Sequence, residues 1–134
     1  MGIHIISAKQ FAMKLKATIQ KSGRLGFTED AAKIMDLQSG KYAKFAQDDE
    51  SDALYLIIID KGDEEAFPIR ESSGYYYVPA KLMFDMLKLD YEHNNIMFDL
   101  IRRADHDEEL QGQVFYMKQR TNKRKGKDDD IEEQ

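Results

Sequence analysis

The sequence predicts an α+β chain in which two similar strand-rich units close a small pseudo-twofold β-barrel, with a helix ahead of the first unit. Three observations predict this. Short segments that alternate apolar and polar residues, the period of a strand with one face buried, recur through the 134 residues. Two short helical segments between them open at Thr28 and Pro79 and close at Leu37 and about Leu87–Leu89. The order of elements from Gly23 to Ile59 then returns from Gly74 to Lys118, so the chain divides into pseudo-repeats of about 22–60 and 66–118.

Taken in order, Ser7 to Lys21 has Ala8, Phe11, Ala12, Leu15 and Ile19 at helical spacing, with Ser7 as N-cap and Gly23 just past the end. Arg24 to Thr28 is extended. Thr28 caps a helix from Glu29 to Leu37, and the first-turn acids Glu29 and Asp30 suit its positive end. Gln38-Ser39-Gly40 turns the chain into a strand at Lys41 to Ala46, and the apolar run Ala53 to Asp60 is the strongest strand. Ala66 to Arg70 is a short edge strand carrying Pro68. Tyr75 to Val78 is another strand, and Pro79 takes the first position of a helix reaching Leu87. Asn95 to Ile101 and Gln113 to Lys118 complete the strands. Residues 1–119 thus make one domain. From 120 to 134, Lys123, Arg124, Lys125 and Lys127 meet Asp128, Asp129, Asp130, Glu132 and Glu133, a composition expected to stay disordered.

A chain of this length, 42% hydrophobic, suffices for one core. It has no cysteine, so disulfides and thiolate zinc sites are excluded and a cytoplasmic setting is expected. The N-terminal residues do not read as a signal peptide, and the longest apolar run is too short to span a bilayer, so no membrane role is expected. Net charge is −5, and because 120–134 holds equal numbers of acids and bases, residues 1–119 carry all of it. That balance argues against strong non-specific nucleic-acid binding, though a local basic face is compatible with it.

The two units align as GRLGFTEDAAKIMDLQSGKYAKFA and GYYYVPAKLMFDMLKLDYEHNNIMFDLI, each followed by an acidic loop and a strand. Gly23 pairs with Gly74, Phe27 with Val78, Thr28 with Pro79 and, after a one-residue slip, Leu37 with Leu89. One such unit has too few strands to cover its own apolar face, and two can interleave. The first segment, through Gly23, Arg24, Phe27, Thr28, Leu37 and Gly40, resembles the AbrB/MraZ swapped-hairpin family, and the second carries Gly74, Val78, Pro79 and Leu89. Tyr75 stands where the family arginine would be, and the helix at Ser7–Lys21 replaces the strand that opens such a unit. The resemblance implies a non-enzymatic bacterial regulator that meets double-stranded DNA through basic residues on its paired hairpins. A module of the same architecture that binds a protein or itself is the alternative.

Lys14, Lys16, Lys21, Arg24, Lys41 and Lys44 are expected to share a positive face with Arg70, Arg102 and Arg103 from the second half, and among them Arg24, Lys41 and Lys44, with Lys21, Arg70 and Arg102, are expected to hold phosphates or base edges. Tyr75-Tyr76-Tyr77 offers either a stacking platform or ordinary strand residues. The acidic clusters at 48–52, 63–65 and 105–109 lack the alternating ligands and glycine of a calcium loop. His4, His93 and His106 have neither i, i+4 pairing nor cysteine partners, so no metal or other cofactor is expected. No nucleophile elbow or phosphate loop is present, so no catalytic residue is assigned.

Overall fold

The structure, a computed structural model, describes residues 2–6, 15–37 and 40–124. Its strands are β1 (Leu15–Ile19), β2 (Arg24–Phe27), β3 (Tyr42–Gln47), β4 (Leu54–Ile59), β5 (Phe67–Pro68), β6 (Arg70–Ser72), β7 (Tyr75–Pro79), β8 (Asn94–Arg102) and β9 (Gln113–Lys123). Three short helices join them: α1 (Glu29–Ile34), α2 (Lys81–Met86) and α3 (Asp107–Leu110), the last preceded by a 3-10 turn at Ala104–His106. Every strand pairing is antiparallel, in the order β5-β3-β4-β9-β8-β1-β2-β7-β6. The two outermost strands, β5 and β6, are consecutive pieces of chain separated only by Ile69, whose amide donates to the Lys41 carbonyl at 3.3 Å. The edges of the sheet therefore meet, and the sheet is a nearly closed barrel.

Alternation fills the barrel. Ala17, Ile19, Leu25, Phe27, Ala43, Leu56, Ile58, Val78, Ile96, Phe98, Leu100, Phe115 and Met117 are buried on the inner face, and registers place them side by side: Ala17 opposite Phe27 and Phe98, Leu25 opposite Val78, Leu56 opposite Phe115. Full burial of such side chains contributes roughly 1.5–3 kcal/mol each. Met35 and Leu37, around the end of α1, and Phe84 of α2 add to the same core. Phe84 meets Phe45 edge-on, with ring centroids 6.3 Å apart.

α1 follows its sequence signals. The Thr28 hydroxyl accepts from the Ala31 amide at 3.3 Å, and Glu29 and Asp30 occupy the first turn. Both longer helices are then left through a non-glycine residue with positive φ, Asp36 at 55° and Lys88 at 61°.

Three sequence expectations are corrected. The helix over Ser7–Lys21 fails in its described half, because Leu15–Ile19 is a strand paired on both edges; residues 7–14 lie outside the described residues. Leu15, Ala17 and Ile19 alternate with Lys16 and Thr18, so this stretch fits both periods, and pairing with β2 and β8 decides between them. Pro79 does not open a helix. It ends β7 opposite Arg24, Ala80 is the N-cap, and α2 begins at Lys81. The charged tail does not begin at 120: Arg120 to Lys123 continue β9 against β8, and Arg124 is fastened to β1, to β8 and to the turn before β8. The remainder of that segment, from 125, lies outside the described residues, as do Gln38 and Ser39 of the expected turn.

Candidate nucleic-acid interface

The outer face of the arc β6-β7-β2-β1-β8-β9 is defined by what its strands bury. Ile19, Leu25, Val78, Ile96 and Phe98 point inward, so the residues next to them point outward. Cross-strand registers arrange these in rows. One row reads Arg70, Tyr77, Gly26, Thr18, Met97, Arg120. The next contains Ser72, Tyr75, Lys16, Asp99 and Lys118. On the other side lies a row with Pro79, Arg24, Asn95 and Asn122. The face thus gathers Lys16, Arg24, Arg70, Lys118 and Arg120 against the single carboxylate of Asp99, in a protein of net charge −5. Arg120 meets Asp99 at 3.1 Å.

Arg24 is fixed by an aromatic ring. Its guanidinium carbon lies 4.3 Å from the centroid of Tyr77, and the Tyr77 ring is stacked on Tyr75 at 6.1 Å and 22°. A cation over a ring gains about 0.5–1 kcal/mol at an exposed site and keeps its charge. Tyr77 is 9% exposed and therefore serves as the bed for Arg24 rather than an open stacking surface. Tyr75 lies flat across β2 because residue 26 is glycine: a Cβ there would fall 1.4 Å from the Tyr75 hydroxyl oxygen. That hydroxyl is bonded to the Gln20 side-chain amide.

The other cations singled out from sequence divide. Arg70 sits on the arc, in register with Tyr77, and Lys21 is exposed in the β1–β2 turn beside it. Lys41 and Lys44 lie away from the arc, Arg102 is the last residue of β8, and all three are paired. Lys41 meets Asp60 at 2.5 Å, Lys44 meets Asp63, and Arg102 holds Asp107 at 2.5 Å. Hydrogen bonding to Asp60 and Asp63 raises the pKa of each lysine. Asp107 also accepts from the Val114 amide, and these bonds lower its carboxyl to about 2, with Arg102 the larger cause. On that side the 103–112 segment packs over β4 and β9: Gly112 sits against Ile57 and Ile59, and His106 lies edge-on to Tyr55 at 5.7 Å.

Sequence reasoning missed Lys118, Arg120 and Arg124, the last two because they read as tail, and it placed Lys16 on the positive face but on a helix; strand alternation through Leu15–Ile19 and Gln113–Lys123 is the signal that corrects this. Arg124 is a different kind of cation. It donates to the Tyr91 carbonyl at 2.8 Å, the Asn95 side-chain oxygen at 2.6 Å and the Ile19 carbonyl at 3.2 Å, fastening the end of β9 to β1 and the β8 entry.

An open cleft of about 540 Å³ lies between α1 and the β6–β7 turn, but its charged groups, Glu29 and Lys33, pair with each other at 3.3 Å. Among the described residues no cluster of three or more histidine and carboxylate side chains could hold a metal ion, and no helix is long and apolar enough to cross a membrane. Comparison with family models, with curated proteins and with solved structures yields no match.

Proposed function

We propose that this protein is a non-enzymatic regulator of AbrB/MraZ-like architecture that binds duplex DNA on the outer face of the β6-β7-β2-β1-β8-β9 arc. The observation that carries the reading is the charge separation: Lys16, Arg24, Arg70, Lys118 and Arg120 on one sheet face with only Asp99 among them, while the acidic excess lies elsewhere. Phosphate affinity comes from clustered cations that release counterions, so a local face matters more than the net charge.

The duplicated architecture belongs to the same proposal, and several correspondences support it. Exchanging β1 with β5/β6, β2 with β7, β3 with β8 and β4 with β9 leaves the strand order unchanged. The N-caps Thr28 and Ala80, the left-handed residues Asp36 and Lys88, and the buried or half-buried Leu37 and Leu89 each stand 52 positions apart. Strand β1 stands where a unit of the resembled family opens.

Fluorescence anisotropy of a labelled mixed-sequence duplex, titrated with the full chain at several salt concentrations, tests the reading. Phosphate contacts from the four arc cations that have no carboxylate partner among the described residues, Lys16, Arg24, Arg70 and Lys118, predict a log–log salt slope of about −3 to −4. Absence of binding at micromolar protein and low salt would end the DNA reading and leave the protein-interaction module. That second reading is favoured by one observation, the exposure of Leu82 and Met86 one turn apart on α2.

A further inference from the structure

The lysines and arginines of the arc contact what every duplex shares. A neighbouring group has the chemistry to tell one duplex from another. Gln20 lies between Arg24 and Asn95 in the row described above: its amide donates to the Arg24 carbonyl at 2.8 Å, and the β1–β8 register, ending at Ile19 opposite Ile96, brings Gln20 next to Asn95. Asn95 is opposite Asn122. Because Ile19 and Ile96 are buried, Gln20 and Asn95 face outward. Arg24, Gln20, Asn95 and Asn122 therefore form a row four strands wide, roughly 15 Å at the spacing of paired strands, without a carboxylate or an apolar side chain.

We propose that Gln20, Asn95 and Asn122 are the base-reading residues of this face, an inference that rests on the nucleic-acid reading above. Arginine, glutamine and asparagine are among the side chains that pair with base edges in the major groove, and lysine–phosphate contacts carry no sequence information. One of the amides is pre-oriented. The Arg124 guanidinium can only donate, so Asn95 must turn its oxygen towards it, at 2.6 Å, which leaves the Asn95 NH2 free to donate outward. The Gln20 amide is held on the Tyr75 hydroxyl by one of its polar atoms, which leaves the other for a base edge. With its oxygen outward, Gln20 and the Asn95 donor on the adjacent strand complement the amino group and N7 of adenine.

Pairing of β9 with β4 stops at Met117, so the row ends at Asn122 on an open strand edge. Arg124 acts as a positioning residue for the row through its bond to the Asn95 oxygen.

The test is selection of the full chain against a duplex library with a randomised centre, followed by anisotropy on the selected duplex and a scrambled duplex. Gln20→Ala and Asn122→Ala are each expected to reduce the ratio of selected to scrambled affinity about tenfold, within the range for loss of one base contact. Lys118→Ala is expected to weaken both duplexes alike and keep the ratio. An unchanged ratio in both amide variants overturns the proposal. So does a selection that returns no preferred sequence while duplex binding persists, an outcome that leaves the nucleic-acid reading standing. Loss of all duplex binding by the unmodified chain removes both, and a preference for the single strand over the duplex removes the groove-reading row alone.

Discussion

The two sides of the barrel use the same residue types for different ends. On the β3–β4 side, Lys41 and Lys44 each face a carboxylate, Asp60 and Asp63, and at the end of β8 Arg102 is held in the same way by Asp107. On the arc from β6 to β9, Lys16, Arg24, Arg70 and Lys118 have no ion-pair partner among the described residues, and Arg24 rests on the ring of Tyr77. A cation already bonded to a carboxylate must break that bond before it can meet a phosphate. One lying over an aromatic ring has no such obstacle. The difference shows that a list of basic residues is not a binding site until their neighbours are known, and that a protein of net charge −5 can still present a positive face.

The largest effect is expected from neutralising the arc. Replacing Lys16, Arg70 and Lys118 together by alanine should weaken duplex binding at low salt by 100-fold or more, and should flatten the salt slope by about 3, near one unit per lost phosphate contact. The same anisotropy titration reads both numbers. A triple variant that binds as tightly as the parent, with the same slope, would break the contrast between the two sides.

Arg124 sharpens the contrast by adding a cation whose work is structural. It is half-buried and donates three side-chain hydrogen bonds, two of them to main-chain carbonyls of different elements. Hydrogen bonds from a charged donor are worth about 1.5–3 kcal/mol, and losing it leaves the Ile19 and Tyr91 carbonyls without that donor. Arg124→Ala should therefore lower unfolding stability by about 2–3 kcal/mol, read as a fall in the urea midpoint. Arg124→Lys should recover only part of this, because an ammonium cannot reproduce the planar fork. A midpoint unchanged within error would show that the end of β9 is held by its ladder with β8 alone.

Much of the fold was legible because it is written locally. Thr28 with Glu29 and Asp30 announces α1, and the run around Leu54–Ile59 can only be a strand. The misassigned stretches share a physical cause. Leu15-Lys16-Ala17-Thr18-Ile19 satisfies two periods, and only its pairing with Phe98 on one side and Phe27 on the other makes it a strand. Arg120 to Lys123 looks like tail by composition, yet β8 supplies a nine-residue partner that holds it extended. The site was legible in part for the same reason. Arg24 and Arg70 were within reach of sequence reasoning because short strands around glycine turns fix their faces. Asp60, Asp63 and Asp107 lie 19, 19 and 5 positions from the cations they neutralise, and no local pattern announces such pairs. Arg120 was hidden because its segment reads as tail, and Lys16 was named among the cations but on a helix instead of on β1.

The smallest expected effect is the most informative about that division. Lys41 and Lys44 lie on β3 or at its start, as basic as any residue of the arc and equally prominent in the sequence. Their ammonium groups bond Asp60 and Asp63, and those bonds raise both lysine pKa values and lower that of Asp63. Around neutral pH each pair is fully charged, so each lysine's field is largely cancelled at the distance of a docked phosphate. Lys41→Ala and Lys44→Ala should accordingly change duplex affinity by less than about twofold and leave the salt slope where it was. Their effect on stability should be under about 1 kcal/mol, the ordinary worth of an exposed pair. A tenfold loss of binding from either substitution would mean that the ligand reaches round to β3, and that the interface is wider than the arc from β6 to β9.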